Sequence, residues 1–111
     1  KLKDCILGFS LPREIGIGKK TLSILNRNHG KFRALRNFGS AALNLCYVAD
    51  KRFDFYFSLN IKAWDIAAAK LIAEEANAKV TNFNGKKWNI DDKNIVASNN
   101  ILHNKFIKLL R

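Results

Sequence analysis

One aspartate stands in a setting where a carboxylate is unusual. Asp65 lies in the segment Trp64-Asp65-Ile66-Ala67-Ala68, at or near the first turn of a predicted helix. A carboxylate there is stabilised by helix-end amides, so an amino-terminal cap is one interpretation. A charge flanked by Trp64 and Ile66 is costly to bury unless it is paired, hydrogen-bonded or bound to a cation. A metal ligand is therefore the other interpretation, and these residues alone leave both open.

A second group of residues could hold an anion. Gly39 and Ser40 open the preceding predicted helix, and free backbone amides at a helix start are a generic arrangement for binding phosphate. Plain capping by Ser40 explains the same pair more simply. Arg36 lies three residues before Gly39, where its guanidinium could meet a phosphate, although an exposed arginine is the commoner situation.

The remaining titratable side chains do not form a catalytic set. His29 and His103 have no companion at triad or metal-ligand spacing, and we expect both at the surface. Glu74 and Glu75 are adjacent in a predicted helix, so they point about 100° apart and do not converge on one substrate. The sequence contains no Ser-His-Asp arrangement, P-loop or GxGxxG, which leaves triad hydrolysis and nucleotide binding without support.

The elements that must position these residues alternate between strands and helices. Strands are predicted at residues 5–9, 31–36, 53–57, 79–83 and 94–98, and helices at residues 19–28, 39–49, 63–76 and 101–111. This alternation indicates an α/β fold with an open mixed sheet. The second and third helices are apolar on almost every side, so we expect a further domain or sheet to cover part of them.

Composition supports a single globular domain. The 111 residues are 48% hydrophobic and contain no linker-like segment. The net charge of +11 would suit a polyanion, but the basic residues are scattered, which favours a solvated surface over a nucleic-acid face. No apolar stretch is long enough for a membrane span, and Cys5 and Cys46 are predicted to be free, buried thiols. We therefore expect a cytoplasmic protein.

The chain begins with Lys1 and contains no methionine. We therefore expect that further residues precede it in the natural protein.

Several of these segments together resemble the inositol monophosphatase family. The resemblance is carried by the following runs: Arg36-Asn37-Phe38-Gly39-Ser40-Ala41-Ala42, Tyr47-Val48-Ala49, Phe53-Asp54-Phe55-Tyr56-Phe57 and Trp64-Asp65-Ile66-Ala67-Ala68. Later segments extend it to the last strand, Ile95-Val96-Ala97-Ser98-Asn99. The pairing of RxxGSAA with WDxAA at this separation is specific, and it favours the metal-ligand interpretation of Asp65.

The resemblance implies that residues 1–111 form the carboxyl-terminal domain of a layered αβαβα phosphatase. Such an enzyme hydrolyses a phosphate monoester, typically inositol monophosphate, with Mg²⁺. It implies that Asp65 is one metal ligand that also contacts substrate, and that Gly39, Ser40 and Ala41 form a substrate wall. Ser58 stands where the family commonly has a glutamate that contacts a sugar or inositol hydroxyl, and it is a further candidate substrate contact.

The same resemblance implies that most of the catalytic machinery lies elsewhere. In the family, a DPxDGT motif and an upstream glutamate belong to an amino-terminal domain, so we expect no catalytic residue here and little hydrolysis by this chain alone. A homodimer is usual in the family. The alternative function is an inactive remnant that uses its basic surface to bind RNA or a protein, with Ser58 and Asn77-Ala78 as the substitutions that motivate it.

Overall fold

The computed structural model describes residues 2–37, 40–61, 63–99 and 101–111, and for residues 63–65 the backbone alone. Within these ranges, a single turn of 3-10 helix is followed by five strands and four helices, which alternate except that the last two strands are consecutive. The strands are β1 (Ile6–Phe9), β2 (Ala34–Asn37), β3 (Phe55–Ser58), β4 (Ala78–Thr81) and β5 (Ile95–Asn99). The helices are α1 (Ile15–Asn28), α2 (Ala41–Ala49), α3 (Ala63–Glu75) and α4 (His103–Leu110).

The five strands form one mixed sheet in the order β2-β1-β3-β5-β4. Strands β2, β1 and β3 run parallel, whereas β5 is antiparallel to both of its neighbours, β3 and β4. The predicted open mixed sheet is therefore confirmed. Because β1, β2 and β3 point the same way, the segments that follow them emerge at one edge of the sheet.

Helices cover both faces of this sheet, because its strands are apolar on both sides. Phe55 and Phe57 face one side, with the buried residues of α1 and α4. Tyr56, which lies between them in β3, faces the other side, with the buried residues of α2 and α3. The alternation follows from the two-residue period of a strand. The domain is thus a layered α/β structure, as the sequence predicts.

Helix α1 begins earlier than the predicted residues 19–28. It starts at Ile15 because the Glu14 carboxylate caps it, accepting hydrogen bonds from the backbone N–H of Gly16 at 2.7 Å and of Ile17 at 2.9 Å. These bonds satisfy amides that have no partner within the helix. The end of α1 was predicted correctly, with a left-handed glycine at Gly30, φ +87°.

After α3 the chain passes through Asn77 and Ala78, the substituted pair that motivates the alternative function. Asn77 has φ +70°, a left-handed angle that asparagine tolerates better than most residues. Ala78, the next residue, has no such angle and opens β4 instead.

Neither Cys5 nor Cys46 forms a disulfide within the described part of the chain, and Cys5 is buried as predicted, whereas Cys46 is only half-buried. Within the described residues, no helix is long and apolar enough to cross a bilayer.

Candidate functional site

Three chain segments meet at the sheet edge where the parallel strands end. Residues 10–13 follow β1, residues 40–42 lie at the start of α2 after β2, and Ser58, Asn60 and Ile61 lie at the end of β3 and just beyond it. Together they line a cavity of about 430 Å³. Its lining residues are Ser10, Leu11, Pro12, Arg13, Ser40, Ala41, Ala42, Ser58, Asn60 and Ile61. In open α/β sheets, ligands bind in the crevice at the carboxyl ends of the strands.

Ser40 caps α2, as the sequence predicts. Its hydroxyl accepts a hydrogen bond from the Leu43 N–H at 3.2 Å, and its backbone carbonyl accepts from the Asn44 N–H at 3.0 Å. The buried Asn44 side chain donates a further bond to that carbonyl at 2.7 Å. Asn44 is the single polar interior residue of this helix, and it fixes the first turn from inside.

Two residues of this turn bring their backbone to the cavity. Ala41 and Ala42 open α2, and both line the cavity. The first amides of a helix lack intrahelical partners, and the helix dipole favours negative charge there. This end of the cavity is therefore suited to an anion.

Ser58 reaches the cavity wall but is fully buried. Its hydroxyl donates to the Asn60 carbonyl at 3.3 Å and lies 3.4 Å from the Asn60 N–H, both long contacts that close a tight turn. The exposed Asn60 side chain stands nearer to solvent than the serine does. The part of Ser58 in substrate binding stays a prediction.

The loop after β1 was not among the predicted site residues. Ser10 forms a 2.7 Å hydrogen bond with the hydroxyl of Tyr56, a fully buried residue of β3. Burial raises the pKa of Tyr56 to about 12, so the phenol stays protonated at neutral pH. This bond ties residues 10–13 to the sheet and brings Arg13 to the cavity. The signal that could have found the loop is its position directly after a buried strand.

The two predicted site residues not yet described are Asp65 and Gly39. Asp65 belongs to the first turn of α3, which begins at Ala63, two residues after the cavity-lining Ile61. The Asp65 side chain and all of Gly39 lie outside the described residues, so their contacts stay predictions. Within the described part of the chain, no cluster of three His, Cys, Asp or Glu side chains could hold a metal ion.

Other candidates lie away from this cavity. Arg36 is exposed and lines a separate cavity beside Tyr47 and Arg52. Glu74 is paired with Lys70 at 2.9 Å, which agrees with a structural role.

His29 is exposed as predicted, but the prediction for His103 is wrong. The His103 ring is 1% exposed and hydrogen-bonded on both nitrogens, to Ser98 and to Thr81.

The fold and the cavity define a class: an α/β domain with a cavity at the carboxyl ends of three parallel strands. The inositol monophosphatase family model matches residues 9–111. This chain therefore belongs to the inositol monophosphatase family, and its fold is the carboxyl-terminal portion of the family fold.

Relatives of this chain carry two kinds of name. It is 40% identical over 90 residues to the fructose-1,6-bisphosphatase/inositol-1-monophosphatase of Thermotoga maritima, matching 81% of this chain and 35% of that protein. It is 55% identical over 98 residues to the Nus factor SuhB of Vibrio cholerae, matching 87% of this chain and 37% of that protein. The extragenic suppressor protein suhB of Bartonella henselae is a structural neighbour, with TM-score 0.91 and 33% identity over 100% of this chain and 43% of that one. The chain thus spans well under half of each.

Proposed function

We propose that this chain is the substrate side of a magnesium-dependent phosphatase that an amino-terminal domain completes. Its substrate is a phosphate monoester of inositol or of a related polyol or sugar. One observation carries the proposal: the first residues of α2 and the end of β3 line one cavity. The chain then enters the first turn of α3, which contains Asp65. Membership of the family supports the same reaction class.

The phosphate group would lie at the start of α2. The N–H groups of Ala41 and Ala42 would donate to its oxygens, and Gly39 would complete the wall. Asn44 holds this turn in place through the Ser40 carbonyl, so the donors need not reorganise when phosphate binds. Ser40 and Ala41 both line the cavity, which supports the substrate-wall role that the resemblance implies.

Mg²⁺ is compatible with the oxygen donors of this region, but it needs more oxygen ligands than this region supplies. Asp65 would give one carboxylate ligand, whereas Mg²⁺ prefers six oxygens in octahedral geometry. Since the described residues contain no further cluster of acidic ligands, the others would come from the amino-terminal domain and from water. Bound there, the ion would activate a water molecule and neutralise charge on the phosphate.

The charge of the cavity bears on substrate choice. Among its described lining residues, Arg13 is the one charged side chain, and Ser58 is neutral where the family resemblance implies a glutamate. A positive wall attracts a second anionic group on the substrate and offers no carboxylate to accept bonds from inositol hydroxyls. A phosphorylated sugar or polyol with additional negative charge therefore suits this cavity as well as inositol monophosphate does.

The metal-ligand role is tested by Asp65→Asn in the longer protein that carries this domain. The substitution keeps the size of the side chain but removes the charge that binds Mg²⁺, so phosphate release should fall by at least about a hundredfold. The matched control is Asp91→Asn, which removes an exposed carboxylate that does not line the cavity. Equal activity of the two variants would show that Asp65 is an ordinary helix cap.

A second candidate function belongs to another class. Relatives named Nus factor SuhB, together with the +11 charge, favour a domain that binds RNA or a protein without catalysis. Tight RNA binding by a longer protein that releases no phosphate would support this function. Weak, steeply salt-dependent RNA binding alongside a phosphatase activity that needs Asp65 would support the enzyme.

A further inference from the structure

A second cavity lies between α1 and α4, on the face of the sheet that these two helices cover. It measures about 380 Å³, which is within the range of small-molecule sites. Its lining residues are Ile17, Lys20, Ser23, Ile24, Arg27, Leu59, Phe83, Asn94, Leu110 and Arg111. It shares none of these residues with the cavity at the strand ends.

The polar side of this cavity is cationic. Lys20, Arg27 and Arg111 line it, and no acidic residue stands among the described lining residues. Lys20 and Arg27 lie seven residues apart on α1, so their side chains leave the same face of the helix two turns apart.

Two of the three cations already have hydrogen-bond partners. The Arg27 guanidinium donates to the backbone oxygens of Leu110 and Arg111, both at 3.1 Å, and Arg111 donates to the Phe83 carbonyl at 3.3 Å. These bonds hold the two guanidinium groups at the cavity. Lys20 is exposed and forms no hydrogen bond or ion pair with the described residues, so its whole ammonium group can pair with a ligand, whereas Arg27 offers its remaining N–H groups.

The floor of the cavity is apolar. Ile24 is 3% exposed and Leu110 is 4% exposed, and the half-buried Leu59 and Phe83 form its walls. Hydrophobic walls with a few convergent polar groups are the usual composition of a ligand site. Since acidic residues are absent from the described lining, an anionic group with an apolar body complements both parts of the cavity.

We propose that this cavity binds a small organic anion, with the acidic group on Lys20 and Arg27 and the apolar body against Ile24, Phe83 and Leu110. The proposal is independent of the phosphatase function. It has one structural consequence for that function, because Leu59 contributes to this cavity while its neighbours Ser58 and Asn60 line the other. A ligand here would contact the segment that ends β3.

The test uses anilinonaphthalene sulfonate as the probe and the 111-residue chain as the protein. Fluorescence titration should show saturable binding of one probe, and Lys20→Gln should weaken it by about fivefold, the effect of one charge-assisted contact. The matched control is Lys19→Gln, which removes the same charge from an exposed neighbour that does not line the cavity. Amide chemical-shift changes should cluster at Ser23, Arg27 and Asn94.

Three outcomes would overturn the proposal. Equal weakening by the two lysine variants would mean that the probe responds to net charge alone. Shift changes centred on Leu71 and Ile72 would place it on the exposed apolar surface of α3. Shift changes centred on Arg13 and Ala41 would place it in the cavity at the strand ends, which would leave the phosphatase proposal intact while removing this one.

Discussion

His103 is buried between two hydroxyl groups on neighbouring strands. Its Nδ1 atom lies 2.5 Å from the Ser98 hydroxyl and its Nε2 atom 2.8 Å from the Thr81 hydroxyl. Burial, with a smaller effect from the nearby Lys79 charge, lowers the pKa of His103 to about 4. The neutral ring therefore links the start of α4 to β4 and β5, and it serves packing rather than catalysis.

This lowered pKa predicts a loss of stability in acid. Between pH 6.5 and about 4 the unfolded chain binds a proton that folded His103 excludes, so stability falls as the pH falls through this window. The full effect is about 3 kcal/mol. Urea unfolding at a series of pH values should show a flatter pH dependence for His103→Gln than for the unchanged chain. The exposed His29→Gln should keep the original slope, and equal slopes in all three proteins would contradict the buried, neutral ring.

At the residue scale, local interactions could be predicted from the sequence better than tertiary ones. The Ser40 cap follows from residue type and position, because its partner is three residues away. His103 was wrongly placed at the surface because spacing to other reactive residues says nothing about burial. The apolar stripe of α4 did contain the signal, since His103 precedes Phe106, Ile107 and Leu110 by three, four and seven residues.

Strand β1 and helix α2 approach each other closely at Gly8. A Cβ atom built there would lie 2.5 Å from the Phe53 ring and 3.2 Å from the Asn44 side-chain oxygen. Such contacts would force the ring or the helix to shift. Since Asn44 braces the Ser40 turn, the close approach at Gly8 also fixes one wall of the cavity.

Gly8→Ala should therefore lower the free energy of unfolding by about 2 kcal/mol through overpacking. Gly16→Ala is the matched control, because its added Cβ would meet the flexible Glu14 side chain at 3.2 Å at the start of α1. We expect the control to stay within about 0.5 kcal/mol of the unchanged chain. Chemical denaturation measures both, and a Gly8→Ala variant as stable as the control would rule out the tight contact.

Element types could be predicted along the chain, whereas some boundaries could not. The strands and helices follow from periodicity and turn residues, and Gly30 marked the end of α1. The start of α1 was missed because Gly16 and Gly18 interrupt the helical pattern and glutamate is an unusual capping residue. Sheet order could not be derived, since it depends on contacts between segments far apart in sequence.

At the scale of the whole molecule, the domain exposes apolar surface on the side of α2 and α3. Leu43 is 42% exposed, Leu71 is 61% exposed and Ile72 is 53% exposed. Apolar surface of this kind is typical of an interface. The expectation that a further domain covers these helices stays a prediction.

The functional site could be predicted only in part, because the proposed site includes groups from a further domain. Ser40, Ala41 and Ser58 line one cavity, as expected for a shared site, and the family supplies the reaction class. In the proposed function, substrate identity and the remaining metal ligands depend on groups outside these 111 residues, so they could not be predicted from this sequence.

The central claim is that this domain carries one half of a phosphatase site. The most direct measurement compares phosphate release from inositol monophosphate, with Mg²⁺, by the 111-residue chain and by the longer protein that contains it. One carboxylate cannot hold the metal ions that the reaction needs, so the chain alone should show less than about one-hundredth of the turnover of the longer protein. Comparable turnover by the two proteins would contradict the account.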